Sequence, residues 1–224
     1  MPSRLGTLGL SGPDLTRHIA WDIGVGGLGP LLSQRLGAPF IAQRFSRLVI
    51  DCNRDPARAD SIPQVSDGTL IPGNAELTDA EREARIAQVF TPYHATIAAE
   101  LDARAARGLP TIVVALHSFT PVMQAFRRPW RFGILHLGES AFSDAMLARL
   151  RAEPDAGEVG DNEPYRMDDV DFTIPHHAIG RGLDYVELEV RQDLLADATG
   201  QQAIADLLAR VLPAALGDVR SFPA

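Results

Sequence analysis

The chain has 224 residues, a formal net charge of −8 and a hydrophobic fraction of 46%. All 21 basic residues are arginine and one residue is cysteine, which excludes a lysine Schiff base, a P-loop lysine, a disulfide framework and any multi-cysteine metal site. No basic face dominates, which argues against nucleic acid, and no apolar run approaches the ~18–20 residues of a membrane span.

The opening Met1-Pro2-Ser3-Arg4-Leu5 lacks the apolar stretch of a secretory signal, so the cytoplasm is the expected location. One α/β domain over residues 1–224 is the default for this length. Ser11 or Asp14 is placed to cap a helix through Ile19. A second helix is expected from Ile23 to Arg35, ended by Gly37. Phe40-Ile41-Ala42 and Arg47-Leu48-Val49-Ile50 read as strands, the second running into Asp51-Cys52-Asn53-Arg54. Residues 55–77, rich in Pro, Gly, Asp and Ser, read as a long loop.

Thr78-Asp79-Ala80-Glu81 is a capping-box pattern that opens a helix toward Val89, and a further helix fits His94 to Arg107. Thr111 to Leu116 is continuously apolar, as a central parallel strand would be, and delivers His117-Ser118-Phe119-Thr120-Pro121. Phe132 to His136 reads as a strand, Ala141 to Arg151 as a helix and residues 153–171 as an acidic loop. The strand from Tyr185 to Arg191 places Glu187, Glu189 and Arg191 on one face. A closing helix is expected from Gln201 to Leu216. Alternating strands and helices indicate a layered α/β sheet.

Gly24-Val25-Gly26-Gly27-Leu28-Gly29 matches a dinucleotide fingerprint, with Asp51 further on. No buried strand precedes it, and Pro30 shortens the helix that should follow, so glycine-rich helix packing competes with a cofactor site. His117 sits where α/β sheets place their sites. Asn53-Arg54 suits a carboxylate, because a guanidinium forks onto both oxygens and an amide adds a donor; a salt bridge to Asp51 or Asp55 is the alternative. Glu187, Glu189 and Arg191 are costly on an apolar strand unless paired or exposed. Either they lie on a surface strand or one glutamate is a general base.

Four motifs taken together resemble the N-formylglutamate amidohydrolase family, in family order and from about Pro2 to Leu212. They are His18-Ile19-Ala20-Trp21-Asp22-Ile23-Gly24, Ser46 to Arg54, His117-Ser118-Phe119-Thr120-Pro121 and Glu189-Val190-Arg191-Gln192-Asp193. The family is similar to the zinc carboxypeptidase and aspartoacylase group. The resemblance implies a three-layer α/β/α fold with a mixed central sheet, and zinc-dependent hydrolysis of a small N-acyl acidic amino acid, with N-formylglutamate foremost. It implies His117 and Asp22 as zinc ligands, Glu189 as the general base, and Asn53 and Arg54 on the substrate's carboxylate. Arg191 would bind a second carboxylate or steady Glu189. Tyr165 is a further substrate-binding candidate and His177 another, with loop packing as the alternative for both.

Related chains carry an earlier strand ending in an Asp/Glu-His-Ala-Ser-like motif whose histidine resembles a zinc ligand. This sequence opens just after that place, so one strand and one ligand of the family pattern are expected to be missing and a sheet edge exposed. Catalytic zinc ordinarily takes three protein ligands. A metal-free, non-catalytic binder of acidic metabolites is therefore the rival expectation. Oligomeric state is not readable from the sequence.

Overall fold

A computed structural model describes residues 1–221. The chain packs as two compact units. The first comprises Met1–Trp21, Ile41–Thr111 and Val170–Thr173; the second comprises Asp22–Phe40, Ile112–Asp169 and the chain from Ile174 onward.

In chain order the regular elements begin with α1 (Val25–Leu36). The hairpin strands β1 (Val65–Ser66) and β2 (Thr69–Leu70) follow. Next come α2 (Asp79–Arg85), a π-helical turn at Ile86–Phe90 and α3 (Thr91–Ala106). Then come β3 (Ile112–Phe119), the short pair β4 (Val122–Met123) and β5 (Phe126–Arg127), and β6 (Phe132–Leu135). The chain closes with α4 (Ala141–Ala152), β7 (Val159–Asp161), α5 (Thr173–His177), β8 (Asp184–Arg191) and α6 (Ala198–Ser221). Among the described residues no helix is long and apolar enough to cross a membrane.

The second unit holds the main sheet, in the order β3-β8-β6-β7. β3 runs parallel to β8, β8 antiparallel to β6, and β6 parallel to β7, so the sheet is mixed as expected. Ile112, Val114, Leu116, Val186, Leu188, Val190, Phe132 and Ile134 share one face, in one apolar cluster with α1, α4 and α6. On the opposite face Val113, Ala115, Leu135 and Tyr185 pack with Met167, Ile174 and Ala178. β8 is buried from Tyr185 to Val190 and is the central strand.

β3 pairs with β8 alone among the described residues and is half-buried along most of its length, so it is an edge strand rather than the central one. Its continuous apolar character reports two covered faces, not two hydrogen-bonded neighbours. Helix α1 continues through Pro30 and ends at Gly37 in the left-handed conformation. The glycine run packs this helix closely: a Cβ on Gly27 would meet the Gln201 side chain and one on Gly29 the Phe40 ring.

The first unit corrects two strand expectations. Residues 40–42 are unpaired and 47–49 form a turn, yet Leu48, Val49 and Ile50 are fully buried. Their backbone is satisfied without a ladder. Asn74 Nδ2 donates to Leu48 O, Arg85 Nη1 to Val49 O, and Asp51 N to Ser61 O. The helix expected from Ser11 or Asp14 is only a 3₁₀ turn, Asp14–Thr16. The capping box is present: Glu81 N donates to Thr78 Oγ1 and Thr78 N to Glu81 Oε2. Instead of two helices, α2 and α3 are joined by the π turn without a loop.

Candidate active site

Strand register places the central groups of the second unit. His117 lies opposite Glu189 on β3 and β8, and Ala115 opposite Glu187. Glu189 lies opposite Gly133 on β6. Partners across a sheet share a face, so His117, Glu187 and Glu189 project to the same side. Glu187 and Glu189 are buried, at 3% and 6% exposure, and therefore do not lie on a surface strand.

A Cβ on Gly133 would stand 2.1 Å from Glu163 O and 3.3 Å from Glu189 Cβ. Glycine at 133 thus lets the Glu163 peptide cross this face beside the buried glutamate.

Asp22 lies just before α1 and reaches His117: Nδ1 and Asp22 Oδ2 are 2.8 Å apart. His117 Nε2 makes no hydrogen bond among the described residues. Burial opposes the imidazolium, but the Asp22 hydrogen bond and the charges of Asp22, Glu187 and Glu189 outweigh it and raise the His117 pKa to about 10. One imidazole thus sits among three carboxylates.

Arg191 is tied up structurally. Its Nε and Nη2 donate to Asp193 at 2.8 and 3.1 Å, and its Nη1 reaches the carbonyls of Arg128, Pro129 and Trp130. These bonds brace the segment before β6 and take up the fork expected to hold a second carboxylate. Tyr165 lies under Arg128, which donates from Nη1 to the Tyr165 hydroxyl at 2.9 Å. His177 is fully buried, with its ring edge-on to His176, so packing is its place in the structure.

In the first unit, Asn53 and Arg54 meet an internal acid. Asn53 Nδ2 donates to Asp171 Oδ1 at 3.0 Å, and Asn53 Oδ1 accepts from Phe172 N and Thr173 N. Arg54 Nη1 donates to Asp171 Oδ1 at 3.1 Å and to Asn53 O. The salt-bridge alternative therefore holds, with Asp171 as the acid rather than Asp51 or Asp55. Asp51 instead pairs with Arg47. The Nε–Nη2 edge of Arg54 makes no hydrogen bond among the described residues; Asp60 stands 4.0 Å from Nε. Cys52 is buried, and burial, then the Asp51 charge, push its thiol up to about 12 against the Gln43 hydrogen bond, which leaves it unreactive.

Comparison with known families decides the assignment. The family model described as N-formylglutamate amidohydrolase matches residues 1–196. The chain belongs to the N-formylglutamate amidohydrolase family. A crystal structure of a gene product from Agrobacterium tumefaciens is 40% identical, with a TM-score of 0.94 over 98% of this chain and 87% of that one. The structure of an N-formylglutamate amidohydrolase from Ralstonia eutropha is 20% identical, with a TM-score of 0.61 over 88% of this chain and 83% of that one, and shows the shared fold. No curated protein matches.

For this N-formylglutamate amidohydrolase family member, the expected zinc ligands can be tested on the geometry. His117 Nε2 is a competent donor, but Asp22 engages the opposite ring nitrogen and, as placed, orients the ring. No group of three His, Cys, Asp or Glu side chains that could hold a metal converges among the described residues. These residues do not fit a zinc ion by themselves. Arg128, Asp171 and Gly133 escape sequence reasoning; the Arg127-Arg128-Pro129-Trp130 run just before β6 is the signal that could have marked Arg128.

Proposed function

We propose that this chain is an amidohydrolase that cleaves a small N-acyl acidic amino acid, with N-formylglutamate, giving glutamate and formate, as the substrate of choice. The observation that carries the reading is Glu189, buried opposite His117 on adjacent strands while Asp22 holds the His117 ring. A buried carboxylate is a stronger base than an exposed one, because burial penalises its charge. Glu189 takes a proton from the attacking water as its oxygen bonds to the acyl carbon. The same proton passes to the leaving nitrogen as the C–N bond breaks. His117, charged by its three acidic neighbours, stabilises negative charge growing on the carbonyl oxygen.

Asn53 and Arg54 are proposed to bind the substrate's α-carboxylate, through the guanidinium edge that carries no hydrogen bond. Zinc remains part of the proposal, and no step above depends on it. The deciding assay is formate release from N-formylglutamate, with and without added zinc. Glu189→Gln should lower kcat about 100-fold or more; equal activity in that variant would refute the mechanism.

The convergence of only two expected metal ligands favours a second reading, a metal-free binder of acidic metabolites. That reading requires glutamate binding with neither bound zinc nor formate release.

A further inference from the structure

Arg128 is a buried cation with no acidic partner. It is 6% exposed, and no carboxylate lies within ion-pair distance among the described residues. Its Nη1 donates to Thr120 O at 3.3 Å and to the Tyr165 hydroxyl, while Nη2 faces the Met123 sulfur at 3.0 Å. Nε donates to nothing among the described residues. The guanidinium is sandwiched, 4.6 Å from the Tyr165 ring centroid and 5.7 Å from that of Phe119. A buried charge without a counter-ion is expensive, and neutral acceptors and ring faces offset only part of that cost.

The guanidinium also borders open space. Arg128 lines a cavity of about 430 Å³ with Met123, Phe126, Trp130, Glu163 and Pro164. Glu163 brings one carboxylate to that lining, but it makes no ion pair with Arg128. Two links tie the cavity to the buried glutamate. The Glu163 peptide crosses Gly133 beside Glu189. Phe119, beneath Arg128, lies on the same strand face as His117, two residues further on, or about 7 Å. That span matches the reach of a short dicarboxylic amino acid.

We propose that Arg128 is the seat for the side-chain carboxylate of the substrate, with Tyr165 and Phe119 holding the guanidinium in its plane. It takes the role that the sequence suggested for Arg191. This proposal rests on the amidohydrolase reading, and the test separates the two.

The test compares N-formylglutamate with its neutral counterpart N-formylglutamine, and measures glutarate binding by calorimetry as a readout independent of turnover. In Arg128→Gln, kcat/KM for N-formylglutamate should fall about 100-fold, that for N-formylglutamine no more than a few-fold, and glutarate binding should vanish. Arg128→Lys keeps the charge but not the planar fork, and should show a smaller, still selective loss; it also serves if the glutamine variant does not fold. Equal loss on both substrates, unchanged glutarate affinity, or a wild-type enzyme that does not discriminate overturns the proposal. A wild-type chain that hydrolyses neither substrate, yet loses glutarate binding on substitution, supports the Arg128 seat and rejects the amidohydrolase reading.

Discussion

Replacing Arg85 by methionine should unfold the first unit well below its normal denaturation point. Arg85 is 1% exposed and no acid is in ion-pair contact with it. It donates to Val49 O at 2.9 Å, Asn74 Oδ1 at 2.7 Å and Gly73 O at 2.9 Å. Burial, then the Arg4 charge, lower its pKa against the pull of Glu81, but leave it a cation. Methionine fills similar space and donates nothing, so three buried acceptors lose their donor, at about 1–3 kcal/mol for each left unsatisfied. Better apolar packing returns part of this. The net loss should be about 3–5 kcal/mol, the size found when one member of a buried charged network is removed. In a chain of this length it lowers Tm by roughly 10 °C. Urea denaturation followed by circular dichroism measures it, with Arg85→Lys expected to fall between the two. A midpoint shift worth less than about 1 kcal/mol would refute the claim that a side chain here replaces a strand ladder. Because Leu48–Ile50 leads directly into Asn53 and Arg54, the same variant should also weaken substrate binding.

Two further predictions concern the second unit. The raised His117 pKa means that its charge stabilises the fold fully below the ordinary imidazole value near 6.5 and ceases to do so as pH rises through about 10. Asp22→Asn should return the His117 ring titration toward the ordinary value and remove that pH dependence. Nuclear magnetic resonance of the metal-stripped protein reads it, and an unmoved titration would contradict the assigned pairing. Arg191→Gln should lower stability by about 1–3 kcal/mol through the loss of its carbonyl and Asp193 contacts while leaving KM within a factor of about two; a tenfold rise in KM with an unchanged melting point would show that Arg191 binds substrate after all.

Much of the second unit was legible in the sequence because its pattern and its packing agree. Strand alternation put Glu187, Glu189 and Arg191 on one face, and the register confirms that face. Alternation does not say which partner each charge finds, so Arg191 looked like a ligand and is a brace. The first unit misled because Leu48, Val49 and Ile50 carry the composition of a strand. Composition reports burial, whereas a strand also needs a neighbouring ladder; here Asn74 and Arg85, distant in sequence, supply the hydrogen bonds instead. Arg128 gave no periodic signal, since its meaning lies in the acid it lacks and not in its own position.

Gly133 and Gly160 face each other across β6 and β7, and the Glu163 carbonyl comes within 2.1 Å and 2.7 Å of where their Cβ atoms would stand. The pair is a notch cut into the sheet to seat one peptide, and the requirement is purely one of volume. It is therefore indifferent to the reaction. A related chain that had lost Glu189 or His117 would still need both glycines for as long as its loop took this path. The two positions can thus be used to follow the ancestry of the scaffold separately from that of its chemistry, and to tell a descendant that has stopped catalysing from one that was built differently from the start.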